Sequence, residues 1–338
     1  LCALAALAVV SCKKNEEKAA MTSFVASLTQ PTSDAKTHIG DGNWLMWDNG
    51  DAIKVFDANG NASTFTTTDN NTKVANFEGE IEASYRYCAF YPAAKASDLT
   101  GGKVVLTLSG EQDYAEGGFA NGTYPMAAVN EGTSFEFHSP CGLLAIPMQG
   151  MGTIGSVELT GKLNEPLAGQ LLVAPVGFDP SNPTYTLGET QATVTLGCGS
   201  GLALDTDNAK TLFFVLPKNV FTQGFTAKVK GTNGNEIYRL ETTNNNVIVA
   251  ESIRLMPVVN VASLGVTTLA ANAGNTGATL NGSYAAPAGM TVTEVGFYWG
   301  SDAAAMTNRV TATVGTDFSY VLDGLAEGTE YAYQAFAK

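Results

Sequence analysis

At 338 residues and 45% hydrophobic content, the chain holds enough apolar material for two or three packed domains. It has 36 glycines, and nowhere do apolar residues recur at i, i+3, i+4 and i+7 over a dozen positions, which excludes a mainly helical protein and points to strands and turns. A formal net charge of -14, with only 18 Lys and Arg, gives a field that repels phosphate backbones, so no nucleic acid partner is expected.

Leu1 to Val10 is an almost unbroken run of Leu, Ala and Val, about half of what a helix needs to cross a bilayer. Val9-Val10-Ser11 leads into Cys12, and the chain then turns polar at Lys13-Lys14-Asn15-Glu16-Glu17-Lys18. This is the pattern of the cut end of a secretory signal. It resembles the lipobox of bacterial lipoproteins, which implies that residues 1–11 are an incomplete signal peptide and that a diacylglycerol sits on the Cys12 thiol. Each buried methylene contributes about 0.8 kcal/mol, so two or more acyl chains on Cys12 would hold the protein at the outer membrane without a spanning helix. A plain secretory peptide that happens to contain a cysteine is the alternative. Residues 12–21 read as a solvated, lipidated tether, and Glu16-Glu17 resembles the charged export signals that send some lipoproteins to the cell surface.

The first strand expected is Thr22 to Leu28, with Phe24, Ala26 and Leu28 on one face. A polar loop follows from Thr29 to Gly42. Trp44 to Phe56 reads as a hairpin turning at Asp48-Asn49-Gly50, with Trp44 and Trp47 on opposite faces, one in the core and one partly exposed. Val104, Leu106 and Leu108 alternate as a half-buried strand, as do Ala192, Val194 and Leu196. Leu212 to Leu216 is apolar on both faces and reads as a central strand. After Ala262, Thr279–Tyr284, Val292–Trp299, Val310–Val314 and Phe318–Leu322 are short strands at sandwich spacing.

Several of these stretches resemble, in order, the fimbrillin-like proteins of Bacteroidales. They are Phe24-x-Ala26, Trp47-x-x-Gly50-Asp51-x-Ile53-x-Val55-Phe56 and Tyr85-Arg86-Tyr87-Cys88-Ala89-Phe90-Tyr91-Pro92. Gly142 to Pro147, Ile154 to Gly161, Leu212 to Pro217 and Ile253-Arg254-Leu255 continue the series. The resemblance covers residues 22 to 262. It implies an all-β fold of two transthyretin-like β-sandwich domains, 22–137 and 138–262, joined near His138 to Cys141. Leu325-Ala326-Glu327-Gly328-Thr329-Glu330-Tyr331 resembles the fibronectin type III pattern, implying a third β-sandwich over 263–338 in which Tyr331 makes a corner hydrogen bond. That pattern stops at Lys338 one strand short, as in a truncated domain.

The search for chemistry leaves the expectation of a non-catalytic protein with no cofactor and no metal. His38 and His138 stand beside no nucleophile motif and read as surface or turn residues. Gly197 to Gly201 lacks G-x-S-x-G spacing and reads as a turn. Asp57 to Asn61 resembles a calcium loop only at its start, since Ala62 and Thr68 stand where glycine and glutamate are needed, and reads as a hairpin turn. Gly101-Gly102-Lys103 precedes no helix and is no phosphate loop. Of five cysteines, Cys2 falls in the expected signal and Cys12 is the one that the lipobox resemblance implies is acylated. Cys88, Cys141 and Cys198 are expected as small buried thiols, with one bridge left open and no C-x-x-C spacing for zinc.

The resemblance implies an adhesive pilus component on the cell surface, partnered with other pilus subunits by β-strand addition and with a host or bacterial surface protein or glycan. In the family a protease removes the first strand, here Thr22, Phe24, Ala26 and Leu28, and a neighbouring subunit's strand fills the groove. No Arg occurs between Cys12 and Tyr85, so Lys36 is the nearest basic processing site, which favours a tip or anchor over a shaft subunit. The alternative is a surface glycan-binding lipoprotein of a polysaccharide-uptake system, presenting Trp44, Trp47, Tyr87, Tyr91 or Trp299.

Overall fold

The computed structural model describes residues 20–33, 45–174, 185–261, 264–286 and 291–338. Cys12, Lys36, His38 and Trp44 lie outside the described residues. The all-β class expected from the sequence holds, and the described residues include no α-helix, only a short 3-10 turn at Ala93–Lys95.

Eleven strands precede His138: β1 (Ala20–Leu28), β2 (Thr32–Ser33), β3 (Ala52–Phe56), β4 (Ala62–Thr66), β5 (Val74–Ile81), β6 (Tyr87–Tyr91), β7 (Val104–Leu108), β8 (Glu111–Ala115), β9 (Gly118–Phe119), β10 (Met126–Asn130) and β11 (Ser134–Phe137). Seven of them form one sheet in the order β10-β6-β3-β4-β5-β1-β11. Its two ends meet, because Ala127 and His138 exchange both backbone hydrogen bonds at 2.8 and 2.9 Å. The inward residues, among them Phe24, Ile53, Phe65, Phe77, Tyr91 and Phe137, pack into one core, and Phe56 and Phe90 join it from the opposite face of the sheet.

The turn between β3 and β4 is the one expected. Asp57 accepts from the Asn59 and Asn61 backbone N–H groups and from the Asn61 amide at 2.8, 2.9 and 2.8 Å, and Gly60 supplies a positive φ of 87°. The hairpin expected over residues 44–56 does not form. The Asp48–Gly50 turn is present, but Trp47 bridges Thr72 instead of pairing back on β3. Its indole decides this: the ring is buried against Phe77, Tyr91 and Phe137, and Nε1 donates to the Ala26 carbonyl at 3.0 Å.

The middle of the chain adds β12 (Cys141–Gly150), β13 (Thr153–Gly161), β14 (Ala168–Val173), β15 (Thr186–Gln191), β16 (Thr193–Ala203), β17 (Lys210–Pro217), β18 (Phe225–Gly231), β19 (Glu236–Glu241), β20 (Ser252–Leu255) and β21 (Val259–Val261). One sheet runs β17-β12-β20-β2, with β21 also on β12; a six-stranded sheet runs β19-β18-β13-β16-β8-β9; and β15-β14-β7 makes a third. The β17-β12-β20 sheet is a middle layer. Leu143, Ala145, Phe213 and Val215 point into the first core, while Leu144, Ile146, Met148, Leu212, Phe214 and Leu216 point into a second. That explains a strand apolar on both faces.

In hydrogen-bond order, however, β17 is not central but terminal in its sheet. Its outer edge is closed by a side chain, as Gln112 donates to the Val215 carbonyl at 2.8 Å and accepts from the Val215 N–H at 3.0 Å. Strands are also traded across His138, since β7 pairs with β14, β8 with β16, and β2 with β20. Gly197 to Gly201 is a bulged stretch of β16 and not a turn. Gly199 and Gly201 take positive φ of 57° and 116° where the pairing with β13 slips between Ile154 and Ser156, a distortion that glycine absorbs without a steric cost.

The last strands are β22 (Gly265–Ala273), β23 (Gly277–Ala285), β24 (Val295–Gly300), β25 (Asn308–Ala312), β26 (Asp317–Asp323) and β27 (Ala332–Ala337). The sheets β22-β23-β26 and β25-β24-β27 enclose a third core built on Leu280, Phe297 and Phe318. Tyr331 makes the corner contact, its hydroxyl accepting the Ala326 N–H at 3.2 Å.

Candidate functional site

The strand expected at Thr22–Leu28 exists and begins two residues earlier, so Ala20 and Met21 belong to it and not to a tether. Alternation works as anticipated: Phe24, Ala26 and Leu28 are buried, Met21 and Val25 are 67% and 38% exposed, and Thr22 is half-buried. β1 lies between two strands that do not pair with each other. It runs antiparallel to β5 from Ala20↔Ile81 to Ser27↔Val74, and parallel to β11 from Val25↔Ser134 to Leu28↔Phe137. Both edges of β1 are therefore engaged, and its removal would leave two unpaired strand edges and a furrow in the core.

Side chains fix the register that the backbone ladder alone would leave free. Phe24 is fully buried, its ring 5.0 Å from Phe65, 5.0 Å from Tyr87 and 4.9 Å from Phe135. Ala26 is fully buried and its carbonyl receives the Trp47 indole N–H. On the outer side Ser27 Oγ donates to the Phe135 carbonyl at 3.1 Å. Beyond the strand, the Gln30 amide pairs with both backbone groups of Leu45, donating at 3.0 Å and accepting at 3.2 Å. Leu28, the last inward residue, borders a cavity of about 330 Å³ walled by Trp47, Tyr91, Phe119 and Met126.

The other residues singled out from sequence are placed by the structure as follows. His138 is not a surface or turn residue: it is largely buried, and its Nδ1 lies 3.0 Å from Glu251 Oε1, which also accepts the Ser139 N–H at 2.9 Å. Cys88, Cys141 and Cys198 are buried thiols outside any disulfide. Burial pushes Cys88 and Cys198 up to about 11 and Cys141 higher still, which keeps them protonated and unreactive. Trp47, Tyr87 and Tyr91 are core residues and cannot serve as sugar platforms. Tyr91 donates to Asp51 at 2.9 Å, and its hydroxyl is held far above the ordinary phenol range by burial and then by that carboxylate.

Among the described residues no group of three His, Cys, Asp or Glu side chains could hold a metal ion, and no helix is long and apolar enough to cross a membrane. The sequence reading missed the partners of β1 and the anchoring role of Trp47. Parallel pairing across more than a hundred residues leaves no turn to read.

No family model and no curated protein matches the chain in sequence. Among solved structures it is similar to a candidate cell adhesion protein from Bacteroides ovatus, at 12% identity over 72% of this chain and 92% of that one, with a TM-score of 0.41. A DUF3823 family protein from Parabacteroides merdae matches at 11% identity over 59% and 81% of the two chains, with a TM-score of 0.16. The FN1–FN3 domains of chicken CNTN1 match at 11% identity over 85% and 84%, with a TM-score of 0.17. These likenesses concern strand architecture and carry nothing about activity or partners.

Proposed function

We propose that the protein is a non-catalytic cell-surface lipoprotein, a fimbrillin-like component of an adhesive pilus at the tip or anchor position, that joins other subunits by β-strand addition. The observation that supports this most is β1 itself. It is the first strand of the described residues, paired on both edges between β5 and β11, and it buries one narrow face. Backbone hydrogen bonds to such a slot are the same for any strand that enters it, while a few inward side chains supply selectivity. In this reading a lipid on Cys12 holds the chain at the outer membrane, and the lack of Arg before Tyr85 leaves β1 covalently attached in the mature protein, so that an incoming strand displaces it without its removal.

The test uses the full chain with a protease site introduced in residues 34–44. After cleavage it is incubated with an excess of a labelled peptide of residues 20–33. Entry of the labelled peptide with loss of the resident strand supports the reading. A cut chain that keeps its own β1 and excludes every added strand overturns it.

A further inference from the structure

The slot does not fit its three inward side chains equally. Phe24 is boxed by three rings, and Ala26 has an indole bonded to its carbonyl and no exposed surface. Leu28 instead borders a half-open pocket of about 330 Å³. Clefts of this kind, part apolar and part polar, are where an incoming group finds room beside a side chain already bound. This space exceeds what a leucine fills. Its apolar walls are Trp47, Phe119 and Met126, and its polar ones include Asp48, Asn71 and Asn121. Tyr91, which also lines it, has its hydroxyl committed to Asp51 and Asn121, and Asp48 Oδ1 accepts the Asn71 N–H at 3.2 Å, which leaves Asp48 Oδ2 and the Asn71 side-chain oxygen as acceptors for an incoming hydroxyl.

We infer that the slot selects an incoming strand reading aromatic-x-Ala-x-Tyr, with the tyrosine where β1 carries Leu28. The inference rests on the strand-exchange reading and names its partner by chemistry. The aromatic and alanine positions repeat what β1 already satisfies. The tyrosine lays its ring on Trp47, Phe119 and Met126 and turns its hydroxyl toward Asp48 and Asn71. β1 is then an incomplete occupant, and a strand that fills the cavity displaces it spontaneously. Ring-on-ring contacts with Trp47 and Phe119, which leucine cannot make, correspond to about a tenfold gain in affinity.

Two measurements separate this inference from the reading beneath it. In the intact chain, Leu28→Tyr keeps or raises the melting temperature while Leu28→Ala lowers it; a Leu28→Tyr chain that melts well below the parent overturns the fit. In the cleaved full chain, the 20–33 peptide carrying Leu28→Tyr competes against the unaltered peptide and against one carrying Ala26→Phe. Roughly tenfold tighter entry of the tyrosine peptide, with exclusion of the Ala26→Phe peptide, supports the inference. Equal entry of the tyrosine and unaltered peptides overturns the selectivity and leaves strand exchange standing. Entry of none of them, although the intact Leu28→Tyr chain is stable, overturns exchange and the inference together.

Discussion

Replacing Phe24 by alanine deletes a ring that touches Phe65, Tyr87 and Phe135 and is wholly shielded from solvent. Large-to-small changes at such positions cost about 3–5 kcal/mol, because lost transfer energy is joined by the cavity left behind. The neighbours here are rings held by both adjoining strands, which collapse poorly, so the upper half of that range is expected. Each kcal/mol shifts melting by roughly 2–4 °C in a unit of this size, giving a fall on the order of 10 °C. Val25→Ala, one residue along on the exposed face, is the control and stays within about 0.5 kcal/mol. Scanning calorimetry with Trp47 fluorescence reads both, since that indole sits on the next inward residue of the same strand. The third core shares no residue with the other two, so the transition of residues 264–338 serves as an internal reference. Equal melting of Phe24→Ala and Val25→Ala would refute the seating of β1 and everything built on it.

Gln112→Ala leaves the buried Val215 N–H and carbonyl without partners, and about 2–3 kcal/mol of stability is expected to disappear in denaturant titration. Gln112→Glu is expected to be worse still, since a carboxylate can accept from that N–H but opposes that carbonyl. Glu158 is held below its ordinary value of 4.5 by hydrogen bonds from Lys228 and Lys230 at 2.7 and 2.8 Å. A depressed carboxylate stabilises the fold above its unfolded value and stops doing so as pH falls through the native one. Acid titration of Glu158→Gln should therefore show a shallower loss below about pH 4.5 than the parent. Cys88, Cys141 and Cys198 should resist a thiol reagent at pH 8 and react together once denaturant is added. Cys12→Ser in the precursor should move the protein from the membrane fraction to the medium.

What was legible in the sequence was whatever depends on near neighbours. The two-residue period of Phe24, Ala26 and Leu28 gave the buried face of β1, and Asp57-Ala58-Asn59-Gly60 gave a turn, because both are set within a few residues. The apolar run Leu212–Leu216 correctly announced a strand covered on both faces. What it could not reveal is that the two covers are different cores and that Gln112, about a hundred residues earlier, closes the edge. Trp47 was misplaced for the same reason. Turn propensity at Asp48–Gly50 argued for a hairpin, while a buried indole bonded to Ala26 outweighs a short ladder. Leu28 read as an ordinary inward residue, since a string of letters holds no information on the volume left around a side chain.

The proposed exchange requires one strand to be structural and replaceable at once, and the placement of β1 bears on that requirement. Its loss strips one wall from the first core only. The second core sits behind the β17-β12-β20 sheet, whose other face keeps Leu144, Ile146, Phe214 and Leu216 packed whether or not β1 is present. Damage is further limited because β5 remains bonded to β4 and because Ala127 still bridges His138 at the end of β11. The sheet then opens at a single place, with its two lips still attached to the rest of the fold. Departure of residues 20–33 therefore costs one ladder on each side of β1, three inward side chains, the Gln30–Leu45 pair and the short β2–β20 pairing, all of which an incoming strand of matching pattern restores. Under the proposed exchange, a closed sheet with β1 buried between two other strands, backed by a layer that insulates a second core, would give up that strand without unfolding as a whole.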